Sequence, residues 1–377
     1  MDFLAIFPAT ILAYSGYIAA LLVALTVIVF IHEYGHFKVA RLCGMKVDVF
    51  SIGFGREIWG WNDRHGTRWK IGWLPVGGYV KFAGDLNVTS LPDANTPAQP
   101  DEFHGKPIWQ RALVVLAGPV ANFILAFVLF AAAFFLLGDQ VPGPRIGEVI
   151  AGSPAEQAGL KPNDLVLKVD GKKVQAFNDI VLVVRDSPGK SLVFDIDRSG
   201  EPVALTITPA AEVIDREFYG KFTIGKIGAA ASQDPSNFHD VSLMRAMQLS
   251  ANEISRIVEL TIKYVGRLIV GQDTLAQLGG VGTMAKLSGD AASSGIFPYI
   301  GMIGLLSVSI GLINLFPIPM LDGGHLVFYA IEAIRRKPLG PQAQEWSFRI
   351  GFVVVIFIML VGNMNDLMRA VLGNLAY

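Results

Sequence analysis

An uncharged run from Ala9 to Ile31 ends directly on His32-Glu33-Tyr34-Gly35-His36. About 20 apolar residues at a 1.5 Å rise cross the hydrocarbon core of a bilayer, so the run is long enough to span one. A helix continuing through the motif puts residues i and i+4 on one face, where His32 and His36 can share one metal ion. Glu33 lies beside them and can take a proton from a water that the metal acidifies toward a pKa of about 7. The chain thus sets a hydrolytic metal site where water is scarce. A charge in such surroundings costs at least about 2.5–3.5 kcal/mol on insertion scales, which favours a functional role for these groups.

Of the 377 residues, 52% are hydrophobic and 17% charged. Soluble domains carry roughly 25% charged residues, so a membrane protein is expected. A formal net charge of −1 argues against a nucleic-acid partner. The single cysteine, Cys43, excludes an intrachain disulfide and a cysteine-rich metal site, and reads as a small packed residue. No Lys or Arg precedes the first run and no small-residue cleavage site precedes His32, so a retained span is expected rather than a signal peptide.

Three further spans follow. Ala112 to Leu137 is broken early by Gly118-Pro119 and Asn122; Ala291 to Leu321 carries Pro298, Asn314, Pro317 and Pro319. The last, Trp346 to Leu372, holds Asp366 and Arg369 near its far end. Basic residues flank particular ends: Lys38, Arg41 and Lys46 after the first span, Lys106 and Arg111 before the second, and Arg335-Arg336-Lys337 before the fourth. Those two connections are expected to be cytoplasmic. Both termini and the segment from Gly138 to Asp290 then face the other side.

Spans one and three run the same way in this topology, and Asp322 ends the third uncharged run as His32 ends the first. At 1.5 Å per residue they reach similar depth, so Asp322 is the expected third ligand of a zinc site that needs three protein ligands and an open position. A helix-capping Asp is the plain alternative. His325 is a rival ligand that suits a supporting place better, and His65, His104 and His239 read as ordinary surface residues.

The segments between spans have their own character. Val47 to Phe82 alternates apolar and polar residues with glycines between, which predicts short hairpins covering the site. An edge strand there, at Gly77-Gly78-Tyr79, can hold a substrate extended by strand addition. Asp85 to Pro100 reads as a flexible linker, and Val141 to Ala211 as a soluble, strand-rich region. Val241 to Val270 has apolar residues at helical spacing, which predicts an interfacial or core-packed amphipathic helix.

HEYGH on the first span with NLFPIPMLDGG on the third closely resembles the site-2 proteases, intramembrane zinc metalloproteases. Gly77-Gly78-Tyr79-Val80-Lys81 is similar to the GGYVK element of the bacterial members, and Trp109 to Phe123 (WQRALVVLAGPVANF) to the start of their second span. The stretches SPAEQAGL and DLVLKVDG resemble a bacterial PDZ domain, of which there is room for one. The resemblance implies His32, His36 and Asp322 as ligands of one Zn2+ per chain, Glu33 as catalytic acid/base, and Asn314 as a substrate or oxyanion contact. Asn122 is a second candidate for positioning substrate, with interhelical bonding as the alternative. Where many relatives read Gly-Pro-Val-Gly before the third span, this chain reads Gly279-Gly280-Val281-Gly282.

The expected architecture is a polytopic α-helical membrane protein with four transmembrane helices, an inserted β-rich α+β PDZ domain and a membrane-associated β-hairpin element. The segments are 1–36 (first span), 37–111 (cytoplasmic-side loop, hairpin region 47–83), 112–137 (second span) and 138–228 (periplasmic PDZ domain). There follow 229–290 (amphipathic helical region), 291–334 (third span), 335–345 (cytoplasmic loop) and 346–377 (fourth span). The expected activity is cleavage of single-pass membrane substrates, such as pre-cleaved anti-sigma factors or remnant signal peptides, in a bacterial inner membrane. The PDZ domain would bind a peptide or act as a size filter. A metal transporter would need polar residues strung along several spans, and an inactive PDZ scaffold would lack the base or a ligand; neither matches these residues.

Overall fold

Backbone N–H and C=O groups in an apolar medium must be satisfied within the chain, and a helix does this inside one segment. The computed structural model, which describes residues 3–84, 99–138, 143–174, 177–216, 220–232, 241–271, 275, 278–337 and 339–373, turns each long apolar run into helix. The expected linker at 85–100 lies outside the described residues except for its last two. In chain order come α1 (Phe3–Leu42), β1 (Val47–Asn62), β2 (Arg68–Phe82), α2 (Ile108–Leu137), β3 (Ile146–Val149), α3 (Pro154–Gln157), β4 (Leu165–Val169) and β5 (Lys172–Lys173). Then follow α4 (Phe177–Arg185), β6 (Leu192–Arg198), β7 (Glu201–Ile207), β8 (Ala210–Arg216), β9 (Gly220–Lys226) and β10 (Ala229–Ala231). The chain ends with α5 (Leu243–Ile269), α6 (Val281–Ser294), α7 (Ile296–Asn314), α8 (Asp322–Arg335) and α9 (Pro341–Gly373).

Among the described residues, four stretches of helix are long and apolar enough to cross a membrane: Ser15–Leu42, Ile108–Leu137, Ile296–Asn314 and Gln342–Arg369. The single third span expected over 291–334 is divided. Residues 291–294 end α6, α7 stops at Asn314, and Asp322 opens the separate helix α8. Pro317 and Pro319 lack the N–H that a continuing helix requires. Met320, between them and Asp322, has φ of 85°, a left-handed conformation no helix can contain.

Two compact units result, Met1–Phe130 with Ser250–Leu268 and Thr274–Tyr377, and Ala131–Leu249 with Ile269–Asp273. In the first, small residues let helices close on one another. A side-chain carbon at Gly35 of α1 would fall 2.4 Å from the Ala117 carbonyl and 2.8 Å from the Ala121 side chain of α2. Gly311 of α7 meets Asn122 and the Pro119 carbonyl in the same way, and the Ser307 hydroxyl donates to the Asn122 carbonyl at 2.9 Å. Thus α2 packs on both α1 and α7. The turn at Gly279 to Gly282 closes on α9, whose Asn363 and Asp366 side chains accept from the Val281 and Thr283 N–H groups at 3.1 and 2.8 Å. A carbon at Gly280 would lie 2.7 Å from Asn363 N, so glycine here admits the close approach of α9.

The region expected as short hairpins is one hairpin of two long, bent strands. Residues 49–52 of β1 pair with residues 78–81 of β2 on one side and 68–71 on the other, while 59–62 pair again with 68–71. The bend at Gly53 and Gly55, with φ of 83° and 87°, doubles the hairpin back on itself into a four-segment layer. Its inner face carries Phe50 and Trp69, 4.3 Å apart between ring centroids, against Phe37 of α1. Among the described residues, segment 78–82 has ladder partners on one side only.

The second unit holds a four-stranded antiparallel sheet in the order β5-β4-β6-β7, the pairs β3–β10 and β8–β9, and the helices α3 and α4. Ile146, Val166, Phe194, Ile196 and Ile207 form its closed core. Ser153 caps α3, accepting from Glu156 N, with Pro154 in the first turn. Asp164, with its side chain almost wholly buried, takes two hydrogen bonds from Arg198 at 2.8 and 2.7 Å and one from the Lys161 N–H at 2.8 Å. Burial alone would raise this carboxyl; the Arg198 and Lys161 bonds outweigh it and hold it below the usual carboxylate range.

Candidate metal centre

His32 and His36 sit one helical turn apart on α1, both buried, with Nε2 atoms 3.2 Å apart. Asp322 reaches them from the first residue of α8: Oδ2 lies 3.1 Å from His32 Nε2, and Oδ1 lies 3.5 Å from His36 Nε2. These are the His/Cys/Asp/Glu side chains that converge among the described residues, with one donor atom of each within 4.8 Å of the others. His325 is not in this group. It lines a cavity shared with His32, His36 and Asp322, packed against Tyr329 and Phe348. His65 lies exposed at the turn between β1 and β2 and His104 lies in a short 3-10 turn, while His239 is outside the described residues.

The fold makes this meeting possible through glycines after Asp322. A carbon at Gly323 would lie 2.2 Å from the Phe316 carbonyl, and one at Gly324 2.5 Å from the Ile318 carbonyl. Any side chain there would push the turn 315–321 away from the start of α8, and Asp322 with it. From the other side, Gly351 of α9 sits so close to the turn that a carbon on it would fall 1.9 Å from the Pro319 carbonyl.

The donor set fits a zinc ion. Zinc–ligand bonds of about 2.0–2.2 Å in tetrahedral geometry put neighbouring ligand atoms about 3.3 Å apart. The two Nε2 atoms are 3.2 Å apart, and the Asp322 oxygen nearest each of them lies 3.1 Å from His32 (Oδ2) and 3.5 Å from His36 (Oδ1), values that bracket that spacing. Asp322 Oδ2 is buried without a hydrogen-bond partner although it lies beside His32 Nε2, so the short distance is not a satisfied hydrogen bond. An orphaned carboxylate oxygen beside a ring nitrogen suits a cation.

Helix α2 supports both histidines. The Val114 carbonyl lies 2.8 Å from His36 Nδ1, where it can only accept, so His36 carries its proton on Nδ1 and leaves Nε2 open. Asn122, wholly buried, has its amide 3.2 Å from His32 Nδ1. Between them Gly118 leaves the space the rings occupy: a carbon there would lie 2.3 Å from His36 Nε2 and 2.9 Å from the His32 ring. Residues 114, 118 and 122 recur at i+4 and so form one face of α2. The break expected at Gly118-Pro119 and Asn122 does not occur, because α2 runs unbroken from Ile108 to Leu137 with Pro119 inside it. Asn122 is legible in the sequence as a polar residue in an apolar span, whereas Val114 contributes only a backbone atom.

Glu33 and Asn314 line the same cavity, about 320 Å³ in volume, along with Gly78, Tyr79 and Val80. Glu33 accepts from the Val80 backbone N–H, and a carbon at Gly78 would lie 3.4 Å from the Glu33 side chain. The edge segment of the hairpin therefore crosses directly over Glu33. Gly77 adopts φ of 90°, and a side chain on it would meet the Phe54 ring at 2.4 Å. The Tyr79 ring stacks on Phe54, with Lys70 Nζ 4.9 Å from its centroid.

The sequence profile of peptidase family M50 matches residues 20–358. This chain belongs to that family. A candidate zinc metalloprotease of Agrobacterium fabrum is 41% identical over 361 residues, which are 94% of this chain and 96% of the relative. A second, from Rhizobium meliloti, is 41% identical over 93% of this chain and 96% of its own length. Metalloprotease MmpA of Caulobacter vibrioides is 38% identical over 93% of this chain and 95% of its own length. The M50 match runs from α1 into α9 and so takes in both HEYGH and the turn before α8.

Proposed function

We propose that this M50 peptidase is an intramembrane zinc endopeptidase that hydrolyses a peptide bond within the transmembrane segment of a single-pass substrate. The observation that carries the reading is the convergence of His32, His36 and Asp322 beside Glu33, with both histidines on a helix long and apolar enough to cross a membrane. The relatives' names speak of zinc, and the donor set and its spacing suit that metal.

In this reading His32, His36 and Asp322 hold one zinc ion per chain. Bound there, zinc supplies Lewis acidity, acidifying water and polarising the substrate carbonyl. Glu33 takes the proton of the attacking water and delivers it to the leaving amine. Asn314 donates to the oxygen on which negative charge develops. A transmembrane helix hides its peptide bonds in its own hydrogen bonds and must be stretched before water can attack. The one-sided edge at Gly78 and Tyr79 offers the stretched chain a strand to pair with, next to Glu33.

The basic residues after α1, before α2 and between α8 and α9 set the orientation we propose: a bacterial inner membrane, site toward the cytoplasm, both termini and residues 138–228 periplasmic. We read residues 138–228 as one PDZ domain, which either binds peptide or admits only substrates already trimmed outside the membrane. Pre-cleaved anti-sigma factors and remnant signal peptides have the required form. Cells carrying Glu33→Gln in place of the native enzyme are expected to accumulate short membrane-anchored fragments that native cells clear. Identical fragment profiles in the two strains would count against the reading.

A further inference from the structure

We infer that Asn122 is a positioning residue that fixes the tautomer of His32 through its side-chain carbonyl. His36 sets the pattern: its Nδ1–H donates to the Val114 carbonyl of α2 at 2.8 Å, leaving Nε2 free beside Asp322. His32 needs the same arrangement, because its Nε2 is the atom 3.1 Å from Asp322 and 3.2 Å from His36 Nε2. A proton on that nitrogen would block a metal ion, so it belongs on Nδ1, which then requires an acceptor.

Among the described residues, the group facing Nδ1 is the Asn122 amide, 3.2 Å away. In the structure the amide turns its NH2 toward the ring and leaves Oδ1 buried with no partner. The two ends of an amide are nearly the same in shape, so the hydrogen-bond network decides between them. Rotating the amide by half a turn brings the orphaned oxygen onto the Nδ1–H. One face of α2 then serves both rings: a carbonyl at position 114 for His36, a clearance at Gly118, and a carbonyl at Asn122 for His32. Such outer partners hold ring orientation and raise ligand basicity, and losing one typically costs about 10–100-fold in metal affinity.

This role differs from contact with substrate, and it rests on His32 being a metal ligand. The test measures zinc affinity of the full-length protein in detergent by competition with a chromophoric chelator. His32→Ala is measured first; loss of its zinc establishes the ligand, and retention of native affinity would remove the ligand reading itself. With the ligand established, Asn122→Leu, nearly the same size without an acceptor, is expected to bind zinc about 10–100-fold more weakly. Asn122→Asp keeps an acceptor in place and is expected to bind at least as tightly as the native protein. Native affinity in Asn122→Leu, with only the turnover of substrate changed, would overturn the inference and return Asn122 to the substrate. Equal weakening in both variants would also overturn it, because it would show that the amide NH2 or packing matters instead of the carbonyl.

Discussion

Replacing Glu33 with Gln is expected to lower the rate of peptide-bond cleavage by about 10²–10⁴-fold, the usual contribution of a positioned proton-transfer group. Zinc content should not change. Glu33 lies outside the set of donor atoms that converge, and Gln preserves its size and its ability to accept from the Val80 N–H. What is lost is a group able to take a proton from water. The pairing of a collapsed rate with full metal occupancy separates this role from that of a ligand. Elemental analysis and a cleavage assay on one preparation provide both readings. Cleavage within a few-fold of native would remove Glu33 from the chemistry.

Gly118→Ala is expected to disable the site by a different route. The added carbon would fall 2.3 Å from His36 Nε2 and 2.5 Å from the neighbouring ring carbon. Ordinary contact begins near 3.4 Å, so the ring or the helix must move by about 1 Å. A displacement of that size at a reacting centre costs about 10²-fold in rate, and here it also separates His36 from its partners. Zinc affinity should fall at least as far as when a supporting partner is lost, about 10–100-fold. The helix itself should not suffer, because Ala has a better helix propensity than Gly by about 1 kcal/mol. Thermal unfolding close to native alongside weakened zinc binding is therefore the expected pair of results. Native zinc affinity in Gly118→Ala would mean that the α2 face does not shape the site.

The contribution of α2 explains where the sequence stops being informative. His32, His36 and Asp322 can be brought together from charge-derived topology, because depth in a membrane scales simply with residue count. The structure brings the three side chains together although Asp322 opens a new helix after the irregular turn 315–321 instead of ending a span. The break itself is marked by Pro317 and Pro319, yet a proline can also kink a continuous helix, so residue identity did not choose between the two. Val114 acts through its backbone and Gly118 through the absence of a side chain; neither announces itself by residue type. Asn122 is legible as a polar residue in an apolar span, but its partner is 90 positions away and only the packing of α1 on α2 reveals it. The hairpin shows the same limit, for alternation gives the strands while their double pairing depends on a bend at Gly53 and Gly55.

In the function proposed above, a zinc centre built on α1 and α8 cuts a bond inside a membrane-spanning segment. Its most direct test places the purified protein and a single-pass substrate in lipid vesicles and locates the new termini by mass spectrometry, with zinc removed by chelator and restored. The expected result is a cut within the apolar segment, toward its cytoplasmic end, abolished by chelation and recovered on adding zinc. A cut confined to a soluble flank of the substrate, or one that persists after chelation, would contradict it.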